Sequence, residues 1–537
     1  MAVFEVLAGL GVMNSFGILV AGILLVHLVP YFLDPYGLRK YPSPAFAAFS
    51  DFWVNLYSAE KHLQYLQTLC DSPQLVYQTR FGKRFDVLDQ AHRKYGKYVR
   101  ISPRQLSIAD PDALQVVYGH GTGTMKPVFY DAFVGLKKVR GLFNVRDRAQ
   151  HTRKRKIVSS TFSQKNVLEF EPYIAEILRG FLKQWDKYCL EAKEASTGGW
   201  WTVDTLPWLN FLAFDVIGDL AFGAPFGMVE KEVDVATIEK EDGSRIYVPA
   251  VSILNERGEY SNCLGVMQPW LRPYARFIDP WFARGHASVQ NLAGMARARV
   301  TERLETGVGD RKDLLARLQE ARDENGDVMD TDELTAEALT QLIAGSDTTS
   351  NSSCAIIFYL ARNLEKQKKL QQELDAAFVE RGISGVMEYE DVKGLQYLQA
   401  CIDEALRMHS TSSMGLPRIM TACDFKGQHI VPGVECSVPA YTIHHLESVW
   451  GDPFTFRPER WLDNDAKQLE QSYIPFSVGP RSCVGRNLAM LELLKFIGTF
   501  FYRYDFELAN PKQTTLRTSE GFLRKPTESF IKIRRRE

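Results

Sequence analysis

The chain has 537 residues, 45% hydrophobic and 24% charged, with 64 Lys and Arg set against 65 Asp and Glu. That balance argues against a nucleic-acid binder or an acidic tail protein, and the apolar content excludes intrinsic disorder. Eight cysteines, at 70, 189, 263, 354, 401, 423, 436 and 483, form no C-x-x-C pair. Neither a disulfide framework nor a zinc module is expected, and the compartment reads as reducing.

Val6 to Val29 carries no Lys, Arg, Asp or Glu. At 1.5 Å per residue it would extend roughly 36 Å as a helix, enough to cross a thin bilayer of about 27 Å with tilt. A cleaved signal peptide is the rival, but no basic residue precedes the run; Arg39 and Lys40 follow it. Residues 1–30 are therefore read as a single-pass anchor with the C-terminal bulk in the cytosol. Residues 31–45 contain Tyr41-Pro42-Ser43-Pro44 and read as a semi-rigid hinge. From 46 to 537 no repeat or second composition break appears. Helical periodicity is expected in 165–192, 205–222, 284–306, 333–363, 364–380, 392–410 and after Cys483. Short strands are expected at 99–101, 106–108, 433–438, 504–508 and 528–533. The more polar 228–262 reads as an irregular excursion or lid. The prediction is a mainly helical body with small sheets.

The most informative stretch is Phe476-Ser-Val-Gly479-Pro-Arg481-Ser-Cys483-Val-Gly485, an F-x-x-G-x-R-x-C-x-G pattern. It reads as a glycine-bracketed loop that exposes one sulfur and then starts a helix, whose N-terminus favours a thiolate. Three further motifs stand in order: Ala344-Gly-Ser-Asp-Thr-Thr349, Glu404-Ala-Leu-Arg407 and Phe456-Arg-Pro-Glu-Arg-Trp461. Gly345 and the threonines are expected to bend their helix and open a groove. Glu404 and Arg407 are neighbours at i, i+3 on one helix face.

Together these motifs resemble the cytochrome P-450 monooxygenases. The resemblance implies that fold, with haem b ligated by the Cys483 thiolate, whose electron donation favours O–O cleavage. It assigns proton delivery to Asp347 and Thr348, and a buried support for the cysteine loop to Glu404, Arg407 and Arg460. Propionate contacts are implied at Arg155, Arg418 and Arg481. His151 stands where the family's W-x-x-x-R pattern has Trp, and its imidazole can still donate. The outward charges Arg153, Lys154 and Lys156 are candidates for steering an acidic electron donor.

Only 54 residues follow Cys483, too few for a flavin or nicotinamide domain. The resemblance thus implies electrons from a membrane-bound NADPH–cytochrome P-450 reductase of the endoplasmic reticulum. NADPH and flavins then enter only through that partner, membrane lipid surrounds the anchor, and no nucleic-acid partner is expected. Phe211–Gly223, Leu334–Ile343, His409–Arg418, Tyr130–Phe133, His151 and Glu520–Pro526 further resemble the fungal benzoate para-hydroxylases. That implies a small aromatic acid as substrate, with benzoate giving 4-hydroxybenzoate. The candidate substrate residues are Lys126, Tyr130, Thr411, Ser412, Ser413, Met414, Leu416 and Phe522. The 410–413 hydroxyls or Lys126 would meet the carboxylate; the plain alternatives are a helix cap and a surface lysine. Two rival activities are the same chemistry on another aromatic or polyketide-derived metabolite, and a reductase-independent haem isomerase or dehydratase. The Asp347–Thr348 pair speaks against the second.

Overall fold

The chain is described by a computed structural model. It covers residues 84–537 except 136–138, 196–197, 241–242, 278–279, 308–310, 324, 379–384, 464–465 and 537, with 28–44, 47–49 and scattered residues before 28. The expected anchor, Val6 to Val29, and Cys70 lie largely or wholly outside the described residues. The proline segment docks on the body: Pro42 O accepts the Arg100 N–H at 2.9 Å, and Tyr41 stacks on Tyr98.

Helix α1 (Arg84–Tyr95) leads into an antiparallel pair, β1 (Tyr98–Ser102) and β2 (Gln105–Ile108). Helix α2 (Arg148–Thr161) starts where Asp147 accepts the Gln150 N–H. The periodic run 165–192 divides into a short helix, Gln164–Leu168, and α3 (Glu171–Glu194), because Pro172 restarts the helix in its first turn. Strand β3 (Trp201–Asp204) passes into α4 (Thr205–Phe222), which Asp204 caps and Gly223 ends in left-handed backbone. Among the described helices α4 alone is long and apolar enough to cross a membrane. It is buried inside the body, packed on α3 and on the helix Thr331–Arg362, so it is core.

The segment 228–262 corrects the sequence expectation of irregular chain. It forms a helical turn (Met228–Lys231), a hairpin of β4 (Ala236–Glu239) and β5 (Arg245–Val248), and most of α5 (Ala250–Val266). Carboxylates order it: the buried Asp215 accepts Met228 N and Val229 N, and the half-buried Asp234 accepts Val251 N. Then come α6 (Pro280–Thr306), the 32-residue α7 (Thr331–Arg362), α8 (Leu364–Phe378) and α9 (Gln396–Met408). Strands β6 (Arg418–Ile419) and β7 (Glu435–Ser437) join the first pair in the order β1-β2-β7-β6, with β2 and β7 parallel. After α10 (Arg486–Arg503) come β8 (Tyr504–Leu508), the hairpin β9 (Thr518–Glu520) and β10 (Arg524–Pro526), and β11 (Phe530–Arg535). Strands β8, β11 and β3 form one sheet, so the chain's end locks onto the segment between α3 and α4. The largest core lies among α3, α4, α7, α9 and α10, with Phe181, Trp185 and Phe500 in mutual ring contact.

Candidate active site

Before α10 the chain turns tightly enough that Ser477 and Gly479 adopt left-handed backbone, at φ 57° and 76°. A Cβ on Gly479 would lie 1.8 Å from Tyr118 O, so only glycine fits. The Cys483 N–H closes the loop on Phe476 O at 2.8 Å. Its sulfur opens into an internal cavity of about 570 Å³. Burial pushes the thiol up, while the Gly485 N–H and the charges of Arg155 and Arg486 pull it down. The other described cysteines are in no disulfide and, Cys423 apart, buried, in keeping with plain packing.

A fully buried network holds this loop. Glu404 takes Arg407 in a two-pronged contact, Nε and a terminal nitrogen each donating at 2.9 Å. Its two oxygens also accept Arg460 Nε, Trp461 Nε1 and the Arg457 N–H. Arg407 donates on to His444 O and Pro453 O, and Arg460 to Trp450 O and Asp452. His444 Nε2 accepts the Ile474 N–H at 2.8 Å, which fixes its proton on Nδ1, where it faces Ser410 Oγ. Burial and Arg407 pull His444 down to about 3, so it stays neutral. The chain of bonds runs from α9 through His444 to the residues just before Phe476.

The cavity wall beside Cys483 is rich in donors. Lys126, His151, Arg155 and Arg481 line it, and Arg418 stands behind, donating to Tyr130 Oη at 2.8 Å. Arg155 donates to Ser482 O, Arg481 to Val145 O and Arg146 O, and Lys126 to Phe143 O. None of these five forms an ion pair among the described residues. Burial, then Arg481, Lys126, Arg155 and Arg418, depress His151 to about 3, so the neutral imidazole stands within electrostatic reach of the other four. Enclosed guanidinium groups without counter-ions call for an anion. The set fits the two propionates of a haem whose iron Cys483 would hold. Lys126 is buried rather than on the surface, under the Tyr130 and Phe143 rings, which corrects the surface alternative. The expected outward cluster is also corrected. Lys154 is buried against Glu333 and Glu337, and Arg153 pairs with Glu333 and Asp323, leaving Lys156 facing solvent.

The opposite wall is α7. Ala344, Gly345, Thr348, Thr349 and Ser352 line it, and Thr348 Oγ1 donates back to Ala344 O at 2.6 Å. Gly345 serves a second purpose: a Cβ there would lie 2.8 Å from Ile217, so its missing side chain lets α4 pack against α7. Asp347 does not line the cavity. It is buried on the other side of the helix, raised to about 6 by burial, and feels Lys525 and Glu259, which lie 3.8 Å apart. Asp347 and Thr348 thus link two faces of α7 at adjacent positions.

Of the substrate candidates, Lys126, Thr411, Ser412, Leu416 and Phe522 line the cavity, and Tyr130, Ser413 and Met414 do not. Tyr130 is taken by Arg418, Ser413 Oγ by Ser410 O, and Met414 is packed with Leu88 and Phe133. Thr411 Oγ1 is buried without a hydrogen-bond partner. Three further ionisable residues of the cavity wall carry no sequence signature of their own. Arg257 and Arg297 come from α5 and α6, and Glu492, on α10, accepts Thr349 Oγ1 at 2.8 Å. Burial raises Glu492 to about 8. The nearest to a signature is the glutamate's place inside Leu488–Leu494, nine residues after the cysteine.

Comparison with known proteins agrees with this site. Residues 73–533 match the family described as Cytochrome P450. The chain is 48% identical, over 96% of each sequence, to benzoate 4-monooxygenase bphA of Aspergillus niger. It is 29% identical to the cytochrome P450 monooxygenase gsfF of Penicillium aethiopicum, over 96% of this chain and 98% of the relative. It is 28% identical to poxM of Penicillium oxalicum, over 90% and 86%. The family's cofactor is haem b with a cysteine thiolate ligand, and the donor set around Cys483 suits it. The chain belongs to the cytochrome P450 family.

Proposed function

We propose that the protein hydroxylates benzoate at the position para to its carboxylate, drawing electrons from an NADPH–cytochrome P-450 reductase at the endoplasmic reticulum membrane. The observation that carries the substrate is the 48% identity, across nearly the whole chain, to a protein named benzoate 4-monooxygenase. The cavity supports it with aromatic walls at Phe133, Phe143 and Phe522 and buried donors around them. The location rests on the apolar, uncharged run from Val6 to Val29.

Cys483 would ligate the iron, with Arg155, Arg481, His151, Lys126 and Arg418 around the propionates. When bound, the haem supplies dioxygen activation, with the thiolate favouring O–O cleavage. This chain's residues do the rest. The apolar lining excludes bulk water. Thr348, with its hydroxyl proton parked on Ala344 O, presents lone pairs to the cavity and passes a proton inward only by turning. Asp347, half-protonated near pH 6, recharges that position from the Lys525 side. The Glu404 network keeps the sulfur in place throughout.

A spectral titration of the ferric holoprotein tests the substrate. Benzoate is expected to give a saturable low-to-high-spin shift that benzamide and toluene do not reproduce. Absence of a benzoate shift in protein with intact thiolate ligation would reject benzoate and leave the family assignment standing.

A further inference from the structure

Among the described residues, Arg257 is the one cavity-lining arginine that is nine-tenths buried and yet has neither an ion pair nor a place in the propionate cluster. It projects from α5, 9% exposed, with its guanidinium 5.5 Å from the centre of the Phe133 ring. Its one hydrogen bond among the described residues runs from a terminal nitrogen to Phe133 O at 3.0 Å. That carbonyl is already served by Asn144 Nδ2 at 2.8 Å, so satisfying it does not require an arginine. A guanidinium has five donors in a planar fork. Four remain for something the cavity admits.

Two observations separate Arg257 from the donors around Cys483. His151 feels Arg481, Lys126, Arg155 and Arg418, and Lys126 feels Arg418 and Arg481, while Arg257 acts on neither. Arg257 in turn is lowered to about 10 by burial alone, with no neighbouring charge contributing, and so remains a cation at neutral pH. A second anion, apart from the propionates, is what would neutralise it.

The surroundings suit a flat aromatic acid. Phe133 and Phe522 meet at 4.6 Å, and Phe143 lies 5.5 Å from Phe522. Phe522 sits at the tip of the β9–β10 hairpin. Asn262 of α5 clasps that tip by donating to Gly521 O, and the Arg524 N–H ties it to Thr411 O. The tip therefore brings the Arg257 helix and the unpartnered Thr411 hydroxyl to one end of the cavity. We infer that Arg257 is the group that selects for a carboxylate: an aromatic acid sets its carboxylate on the Arg257 fork and its ring against Phe133 and Phe522. This rests on the aromatic-acid reading above and replaces Lys126 as the carboxylate partner. It also gives the 228–262 segment a role, since that segment carries Arg257 into the wall.

The test is the spin-shift titration repeated on haem-loaded Arg257→Gln and Arg257→Lys, with benzoate, benzamide and methyl benzoate. Loss of a charge-assisted pair is expected to raise the benzoate Kd of R257Q by roughly 10- to 100-fold, with partial recovery in R257K. Haem content, the thiolate carbonyl band and the response to the neutral ligands should stay as in wild type. A wild-type benzoate Kd in R257Q overturns the assignment while leaving benzoate as substrate. So does an equal loss of neutral-ligand binding, which would mark a structural role, or a loss of haem, which would mark a propionate contact. If wild-type protein itself ignores benzoate, the substrate reading fails and Arg257 as its anchor fails with it.

Discussion

Replacing Glu404 with glutamine separates the stability of the whole body from the hold on one loop. Five N–H donors converge on the Glu404 carboxylate, three on one oxygen and two on the other. An amide keeps only one acceptor oxygen, so at least two of those donors face an NH2 group instead. Arg407, fully buried, loses its only carboxylate partner among the described residues, whereas Arg460 keeps Asp452. Breaking a buried pair in this way costs about 3–5 kcal/mol. With an unfolding entropy near 2.1 cal/mol/K per residue, a chain of 537 residues loses only about 3–4 °C of midpoint for that amount. Placed instead on the route Arg407–His444–Ile474, about 4 kcal/mol shifts the balance between held and loose loop by roughly 1,000-fold. Glu404→Gln is therefore expected to lose most of its haem and its thiolate carbonyl band while its thermal midpoint falls by a few degrees. Haem per protein, the carbonyl difference spectrum and calorimetry on one preparation read both quantities. Full haem occupancy with a wild-type thiolate band would refute the reasoning.

Three further outcomes are expected. Glu492 has its pKa raised from 4.5 to about 8 by burial, so its contribution to stability is complete below pH 4.5 and is lost as pH rises through 8. Glu492→Gln should remove that decline, giving a midpoint whose excess over wild type grows from about pH 4.5 to 8 and levels off above it, and parallel curves would contradict it. Gly479→Ala should abolish haem loading, whereas Gly485→Ala, whose Cβ would meet nothing nearer than 3.8 Å, should retain it; the reverse order in the carbonyl spectrum would be contrary. Thr348→Ala should keep oxidising NADPH but yield roughly 10-fold or less product per NADPH, the difference appearing as peroxide; unchanged coupling would remove Thr348 from proton delivery.

The sequence announced elements whose boundaries are set locally. The helix 205–222 was legible to the residue because Asp204 begins it and Gly223 stops it. The F-x-x-G-x-R-x-C-x-G stretch was legible because the turn's own geometry demands the left-handed Gly479 and its residues stand close together in the chain. The sheet β1-β2-β7-β6 was less so, since β2 and β7 lie some 330 residues apart and their parallel register depends on the intervening fold. In 228–262 the ordering comes from Asp215, a residue outside the segment, bonding to its backbone, which no local pattern reveals. The same blindness hid Arg257, ordinary on a helix read alone and unusual only once buried. Tyr130, Ser413 and Met414 were in the right stretches with side chains turned elsewhere. Direction along a loop is the quantity that residue type alone leaves open.

Reductase-driven insertion of one dioxygen atom into benzoate is tested most directly by incubating the full-length protein, an NADPH–cytochrome P-450 reductase and NADPH with benzoate under ¹⁸O₂. The expected product is 4-hydroxybenzoate carrying a single labelled oxygen, formed only when reductase and NADPH are both present. Unlabelled product, product formed from peroxide alone, or hydroxylation away from the para position would contradict it.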